Sequence, residues 1–337
     1  MVTIYDIAKK CGVSPATVSK VINNYSAIPE VTKEKVRQAM AELNYIPNAN
    51  AKSLSKGKSR NIGVIAYFGM DITPFKHALF TEILDALQQE MDSSRYDLLF
   101  VSHNVAGQHG SFLKNCLSRD IAGVVLFGNF AHPEMKEVLA SPIPKVAFDY
   151  VGEGVSSVSS NSKHDMHELT EYLLSLGHRD IVFLHGEDGE VTRLRIEGFR
   201  SAIEEAGIPF REDMLVEGRY FDIEGAKDLT KKILAREHRP TAIMYPDDFS
   251  AIASIGVISS LGLRCPEDIS ITGYDGLDVS QMVTPHLTTV KQDLSGIGKE
   301  LAKKLIEAIE NPDAEPSNIR LASTLLKGES SGKAPVR

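Results

Sequence analysis

The sequence has 337 residues, 42% of them apolar, and a formal net charge of −8. That length and apolar share are ample for a sizeable core and predict two or three domains, and the acidic total excludes a chain that adheres to nucleic acid over its whole surface. The three cysteines, Cys11, Cys116 and Cys265, lie far apart with no CxxC pair, which argues against a disulfide framework or a structural zinc and fits a reducing compartment. The N-terminus has no apolar signal core, and no stretch approaches the roughly 20 apolar residues of a membrane helix, so a cytoplasmic protein with no membrane partner is expected.

The charge is unevenly placed. Residues 1–60 hold ten Lys/Arg against four acids, so this segment is +6 and the remainder −14. A basic end on an acidic body is the layout of a nucleic-acid reader joined to a different module. Thr3 and Asp6 have capping-box spacing ahead of a helix with Ile4, Ile7, Ala8 and Cys11 on one face. Gly12 breaks that helix. Ser14 is a good N-cap and Pro15 fits the first helical position of a second helix, with Val18, Val21 and Ile22 inward. Thr32 is expected to cap a third helix, with Val36, Ala39, Met40 and Leu43 inward, and Pro47 to end it.

This is a helix-turn-helix pattern, whose second helix is the reader. Its outward residues suit a major groove. Pro15 and Ala16 contact thymine methyls or leave room, and Lys20 donates to guanine O6 and N7. Tyr5, Thr17, Ser19 and Asn23 position phosphates. The alternative is a small helical bundle with a solvated polar face. In residues 45–65, "YIPNANAKSLSKGKSRNIGVI", Leu54 is the one large apolar residue of "NANAKSLS", among Lys52, Lys56 and Lys58. A segment that folds on DNA and wedges Leu54 into the minor groove fits this pattern, as does a plain linker.

"TIYDIAKKCGVSPATVSKVINN", "VTKEKVRQAMAELNYIPN" and "AKSL…IGVI" closely resemble the N-terminal module of the LacI/GalR family of bacterial transcription regulators. The resemblance implies a DNA-facing set completed by Thr3, Ser14, Asn48, Ala51 and Lys52. Lys52 stands where the family often has Arg, and it lacks the bidentate fork.

After Asn61, short apolar runs ("IGVIAYF", "DLLFVS", "AGVVLFG", "KVAFD", "IVFLHG", "AIMYPD", "ISITGYD") alternate with amphipathic helices such as 80–92 and 165–176. Such alternation predicts an α/β core of two doubly wound lobes, with ligand at the carboxyl ends of the strands. Asp149, Asp247 and Asp275 end three of those strands, and Arg193 and Arg195 begin a helix. Three acids and an arginine suit a polyol; each alone can be a turn former or a helix cap. The resemblance extends to the family's effector-binding core, which is similar to periplasmic sugar-binding proteins. It places the family's site residues on Asp149, Arg195, Asp275 and Tyr220, with Arg193 as in sugar-responsive members and Phe80 as the aromatic of the first lobe. Pro246-Asp247 replaces the family's usual Asn-Asp.

No phosphate-binding loop, GxSxG, HExxH or dinucleotide fingerprint is present, so no enzyme, catalytic residue, cofactor or metal is expected. His77, His103, His178 and His185 read as packing or turn residues. The expected organisation is a helix-turn-helix domain at 1–47, a hinge helix and linker at 48–60, and a core at 61–337. Its N-lobe takes 61–160 and 291–320, and its C-lobe 161–290 and 321–337. The expected function is that of a homodimeric repressor of carbohydrate-utilisation genes that reads a near-palindromic double-stranded operator. A sugar or sugar phosphate between the lobes controls it, with coupling of either sign. The alternatives are a purine- or nucleoside-responsive or protein-controlled regulator of the same type, and a solute receptor with no DNA role.

Overall fold

The structure, a computed structural model, describes residues 2–45, 59–68, 76–105, 108–150 and 152–336. The expected hinge residues Asn48, Ala51, Lys52 and Leu54 lie outside the described residues.

Three short helices, α1 (Ile4–Cys11), α2 (Pro15–Ile22) and α3 (Glu30–Glu42), form the N-terminal unit. α1 begins where the Thr3 N–H and hydroxyl donate to the Asp6 carboxylate at 2.8 and 2.7 Å. It stops at Gly12, φ +62°, a backbone that favours glycine. Ser14 Oγ accepts the Thr17 N–H at 3.1 Å, satisfying an end donor of α2. Ile7, Ala8, Cys11, Val18, Val21, Val36 and Ala39 form one small buried core.

Two expectations fail at α3. The helix begins at Glu30 behind Pro29, so Thr32 sits in its first turn and caps nothing. It ends at Glu42, ahead of Pro47. Asn44 adopts φ +50°, and the Tyr45 N–H reaches back to the Met40 carbonyl at 2.9 Å, a left-handed closure that asparagine tolerates.

Beyond residue 60 the chain builds two parallel sheets. The first runs in the order Asn318–Leu321, Ser156–Ser160, Lys145–Phe148, Ile121–Gly128, Asn61–Tyr67, Asp97–Phe100. The second runs Ser270–Thr272, Ala242–Met244, Ile181–His185, Leu215–Glu217. Helices cover both faces, which is why the strands read as unbroken apolar runs. On the first sheet, Val64 and Val125 pack under helices Ala78–Ser93 and Leu294–Glu310, while Ile65 and Val124 pack under Phe112–Ser118 and Pro133–Ala140.

The chain passes between the sheets three times: after Ser160, between Lys291 and Leu294, and between Leu321 and Thr324. Strand Thr289–Lys291 pairs antiparallel with Thr324–Leu326; Thr288, just before it, bridges to Thr272, and Lys291 bridges to Asp275. Strand Ser156–Ser160 carries almost no apolar signal. It forms because its hydroxyls bond to late parts of the chain: Ser157 donates to Asn318 at 2.9 Å and Ser160 to Gln292 at 2.6 Å. Among the described residues, no helix is long and apolar enough to cross a membrane.

Helix Leu294–Glu310 approaches helix Ala78–Ser93 closely at Gly298, where an added Cβ would stand 2.4 Å from the Ile83 carbonyl oxygen. Gly298→Ala should lower unfolding free energy by roughly 1–3 kcal/mol through overpacking. Gly256, also helical, has nothing within 4 Å of such a Cβ. Gly256→Ala should instead stabilise by about 0.5–1 kcal/mol. Urea unfolding of both variants measures the contrast, and equal signs would contradict the packing described.

Candidate nucleic-acid interface and ligand cavity

The solvent side of the N-terminal unit is set by which charges are already engaged. Lys10 pairs with Glu42 at 2.6 Å, and Lys33 and Arg37 pair with Glu30 at 3.1 and 3.2 Å. No ion pair among the described residues engages Lys20. On α2, Ala16 and Lys20 are exposed, one turn apart, on the side away from buried Val18 and Val21. Pro15, Thr17 and Ser19 are half-buried, and Tyr5 on α1 is 70% exposed. The other polar groups have local bonds: Thr3 to Asp6, Ser14 to Thr17, and the Asn23 amide to the Ser19 carbonyl at 3.0 Å. The exposed group on α2 with a charge to offer is therefore Lys20.

A cavity of about 400 Å³ lies at the carboxyl ends of both sheets. From the strand ends of the first sheet come Phe68, Phe148 and Asp149, with Phe80 on helix Ala78–Ser93; from the second come Tyr220, Phe221, Pro246 and Asp275, with Arg195 on helix Glu190–Glu205. Asp149 and Asp275 both sit in the left-handed region, at φ +52° and +111°, which strand-end aspartates tolerate better than most residues. The Asp149 carboxylate has no hydrogen bond among the described residues. Asp275 is 3% exposed. Its Oδ1 accepts from Gln292 Nε2 at 2.8 Å, and its buried Oδ2 has no partner.

Arg195 is 5% exposed and forms no ion pair within 4 Å among the described residues. Its Nη1 donates to the Pro246 carbonyl at 2.8 Å, and its guanidinium lies 3.5 Å from the Tyr274 ring centroid and 5.4 Å from that of Tyr220. Its Nε is buried with no partner. Burial works against its charge, but Tyr220, Tyr274, Asp275 and Asp149 outweigh that and hold it firmly protonated. Burial also pushes Asp149 up to about 7, with Arg195 pulling the other way. It raises Asp275 strongly, helped by the nearby Asp248 carboxylate.

The cavity thus gathers Asp149, Arg195, Asp275, Tyr220 and Phe80, and it leaves out Arg193 and Asp247. Arg193 is turned away. Residues two apart on a helix stand about 200° apart around its axis, so with Arg195 inward Arg193 faces solvent, where it pairs with Asp188 at 2.9 Å. Asp247 is fully buried as the N-cap of helix Asp248–Ser260. Its carboxylate accepts from the Ser250 N–H, the Ser250 hydroxyl and the Phe221 N–H, at 2.8, 2.9 and 3.1 Å. Pro246 lines the cavity in its place.

Sequence reasoning missed Phe221, Gln292 and Tyr274. "GYD" did mark the position beside Tyr274, but an aromatic before an acid ordinarily reads as strand core. His178 bonds Thr241 and the Gly332 carbonyl, at 2.9 and 3.1 Å, joining the turn it was assigned to with the end of the chain.

The family pattern described as "Bacterial regulatory proteins, lacI family" matches residues 3–48, and that of the "Periplasmic binding protein-like domain" matches residues 170–331. The chain is 32% identical over 321 residues to the HTH-type transcriptional repressor PurR of Vibrio parahaemolyticus, covering 94% of each chain. It superposes on the Lac repressor dimer bound to operator and the anti-inducer ONPF with a TM-score of 0.81 at 27% identity, over 98% of this chain and 99% of that one. In fold alone it is similar to the transcriptional regulator CelR in complex with cellobiose, with a TM-score of 0.72 at 23% identity, over 98% of this chain and 100% of that one.

The raised Asp149 gives a testable pH effect. An acid that holds its proton more tightly folded than unfolded loses its contribution to stability as pH rises, from the ordinary carboxylate range through about 7. Asp149→Asn should therefore stabilise by up to ~4 kcal/mol at about pH 8 and change little at about pH 4. Urea unfolding at the two pH values checks this; an equal difference at both would mean that the carboxyl is not perturbed.

Proposed function

The chain belongs to the lacI family of bacterial regulatory proteins and is a DNA-binding transcriptional repressor, and from that premise we propose that a neutral carbohydrate in the cavity controls its hold on DNA. The observation that carries this reading is that two residues lining the cavity each keep a buried, unpartnered polar atom, Asp275 Oδ2 and Arg195 Nε. A hydroxyl suits both kinds of group, since it can donate to or accept from the Asp275 carboxyl and accept from the Arg195 guanidinium. Asp149 and Asp275 hold their protons more tightly than ordinary carboxyls, but Glu187, Asp188 and Glu190 also line the cavity, against Arg195 inward and Arg193 outside. That balance disfavours a phosphorylated sugar, since like charges at close range in a low-dielectric site repel strongly.

A purine base is the second reading. Identity to proteins named PurR favours it, as do aromatic rings contributed from both sheets. In either case the protein is a homodimer whose two N-terminal units read the halves of a near-palindrome, with α2 in the major groove. The lobes divide where the chain changes sheet, and residues 48–60 link them to the reader.

Thermal shift with D-glucose, D-ribose, cellobiose, glucose 6-phosphate, hypoxanthine and guanosine tests the ligand reading. A neutral sugar should raise the melting temperature and the phosphate should not. Stabilisation by hypoxanthine or guanosine alone would replace the sugar with the purine, and stabilisation by the phosphate would defeat the charge argument. For DNA, the preferred duplex should be selected from a random pool with the unaltered protein. Lys20→Ala should then lose about 1–3 kcal/mol of discrimination at one base pair. A uniform loss on all duplexes would make Lys20 a phosphate contact.

A further inference from the structure

Two bonded paths leave the floor of the cavity and end on the segments where the chain changes sheet. In the first, Gln292 Nε2 donates to Asp275 Oδ1 at 2.8 Å, and the Ser160 hydroxyl donates to Gln292 Oε1 at 2.6 Å. The Gln292 N–H also donates to the Asp275 carbonyl at 3.1 Å. Ser160 ends the last strand before the first crossing, and Gln292 lies inside the second. In the other path, Arg195 lies over the Tyr274 ring, whose hydroxyl donates to Asp165 Oδ2 at 2.7 Å. Ser323, in the third crossing, donates to that same oxygen at 2.9 Å. Ser160, Asp165, Tyr274, Asp275 and Gln292 are all buried.

We propose that Gln292 is a positioning residue that couples occupancy of the cavity to the angle between the sheets, through its bond to Ser160. The inference rests on the cavity being an effector site. Both ends of the Gln292 amide are committed, one to the second sheet's Asp275 and one to the first sheet's Ser160. Buried, neither bond can be exchanged for water without a penalty. A ligand that occupies Asp275 Oδ2 shifts that carboxylate, and the amide passes the shift to Ser160. A ligand changes an equilibrium only by interacting differently with its two states; for two states that differ in the angle between the sheets, this bond supplies the difference, because it spans the junction. Ser160 does not line the cavity, so its hydroxyl can be removed without touching the ligand.

Ser160→Ala is the test, read in two ways on the full-length protein. Without ligand, amide exchange of Asn161, bonded to the Leu321 carbonyl, and of Gln292 should speed up about fivefold, the equivalent of one ordinary net hydrogen bond. Strand amides of Val64 and Ile243 should not change. Unaltered exchange at the crossings overturns the proposal, and so does equal acceleration throughout both sheets, which marks a merely structural bond.

With D-glucose, D-ribose, cellobiose or hypoxanthine as probe, the variant should bind the probe within about threefold of the unaltered protein. The probe's effect on operator Kd should be about fivefold smaller than in the unaltered protein. A full-sized effect overturns the proposal. If no probe moves the operator Kd of the unaltered protein, the effector reading falls, and the exchange experiment alone decides the role of the Ser160–Gln292 bond at the junction.

Discussion

Arg195 is a buried guanidinium with no carboxylate inside ion-pair distance among the described residues, and much of the cavity follows from how that charge is accommodated. An unpaired buried charge costs several kcal/mol unless its surroundings supply partners. Here they supply them piecemeal: one carbonyl, one aromatic face, and the longer-range fields of Asp149 and Asp275. Each partner constrains its neighbours. Pro246 presents its carbonyl to the arginine, and the next residue, Asp247, starts the following helix. The Tyr274 ring lies under the guanidinium, 3.5 Å from centroid to Cζ, and its hydroxyl is anchored by Asp165. Asp275 enters at a strained φ with one oxygen left over. Such strain persists only where the surrounding structure over-determines it, as binding sites do.

The reader unit solves the opposite electrostatic problem. Its cations outnumber its acids, yet Lys10, Lys33 and Arg37 are tied to glutamates that brace α1 and α3. Exposed pairs of this kind contribute little to stability. Their effect is on distribution: they engage charge on α1 and α3, while α2 presents Lys20 one turn from the small residue Ala16. A net charge summed over residues 1–60 conceals this arrangement.

How much was legible in the sequence depended on the range of the interaction concerned. Local chemistry was readable. Gly12 as a stop, Ser14 as a cap and strand-ending Asp149 and Asp275 are set by backbone sterics and neighbouring bonds. The outward turn of Arg193 also had a local signal, since helical periodicity permits only one arginine of "RLR" to face inward. Asp247 was harder, because a cap and a ligand contact call for the same residue at the same place. What stayed hidden was long-range. Strand Ser156–Ser160 looks like a loop until Asn318 and Gln292 are beside it, and Gln292 itself matches no motif. Its importance comes only from lying where two sheets meet.

The three crossings also bear on how the molecule is made. The first sheet borrows its outermost strand, Asn318–Leu321, and a covering helix, Leu294–Glu310, from the last part of the chain. A nascent chain that has emerged as far as Ser160 therefore holds the inner strands of that sheet with the edge beside Ser156–Ser160 unpaired and helix Ala78–Ser93 without its neighbour Leu294–Glu310. Contacts so distant in sequence form late, and exposed strand edges invite pairing with other chains. The second sheet is synthesised as a nearly continuous insert and can gather first. Completion of the first sheet then waits until residues 294–321 have been made, a period in which its open edge and apolar surface are prone to association.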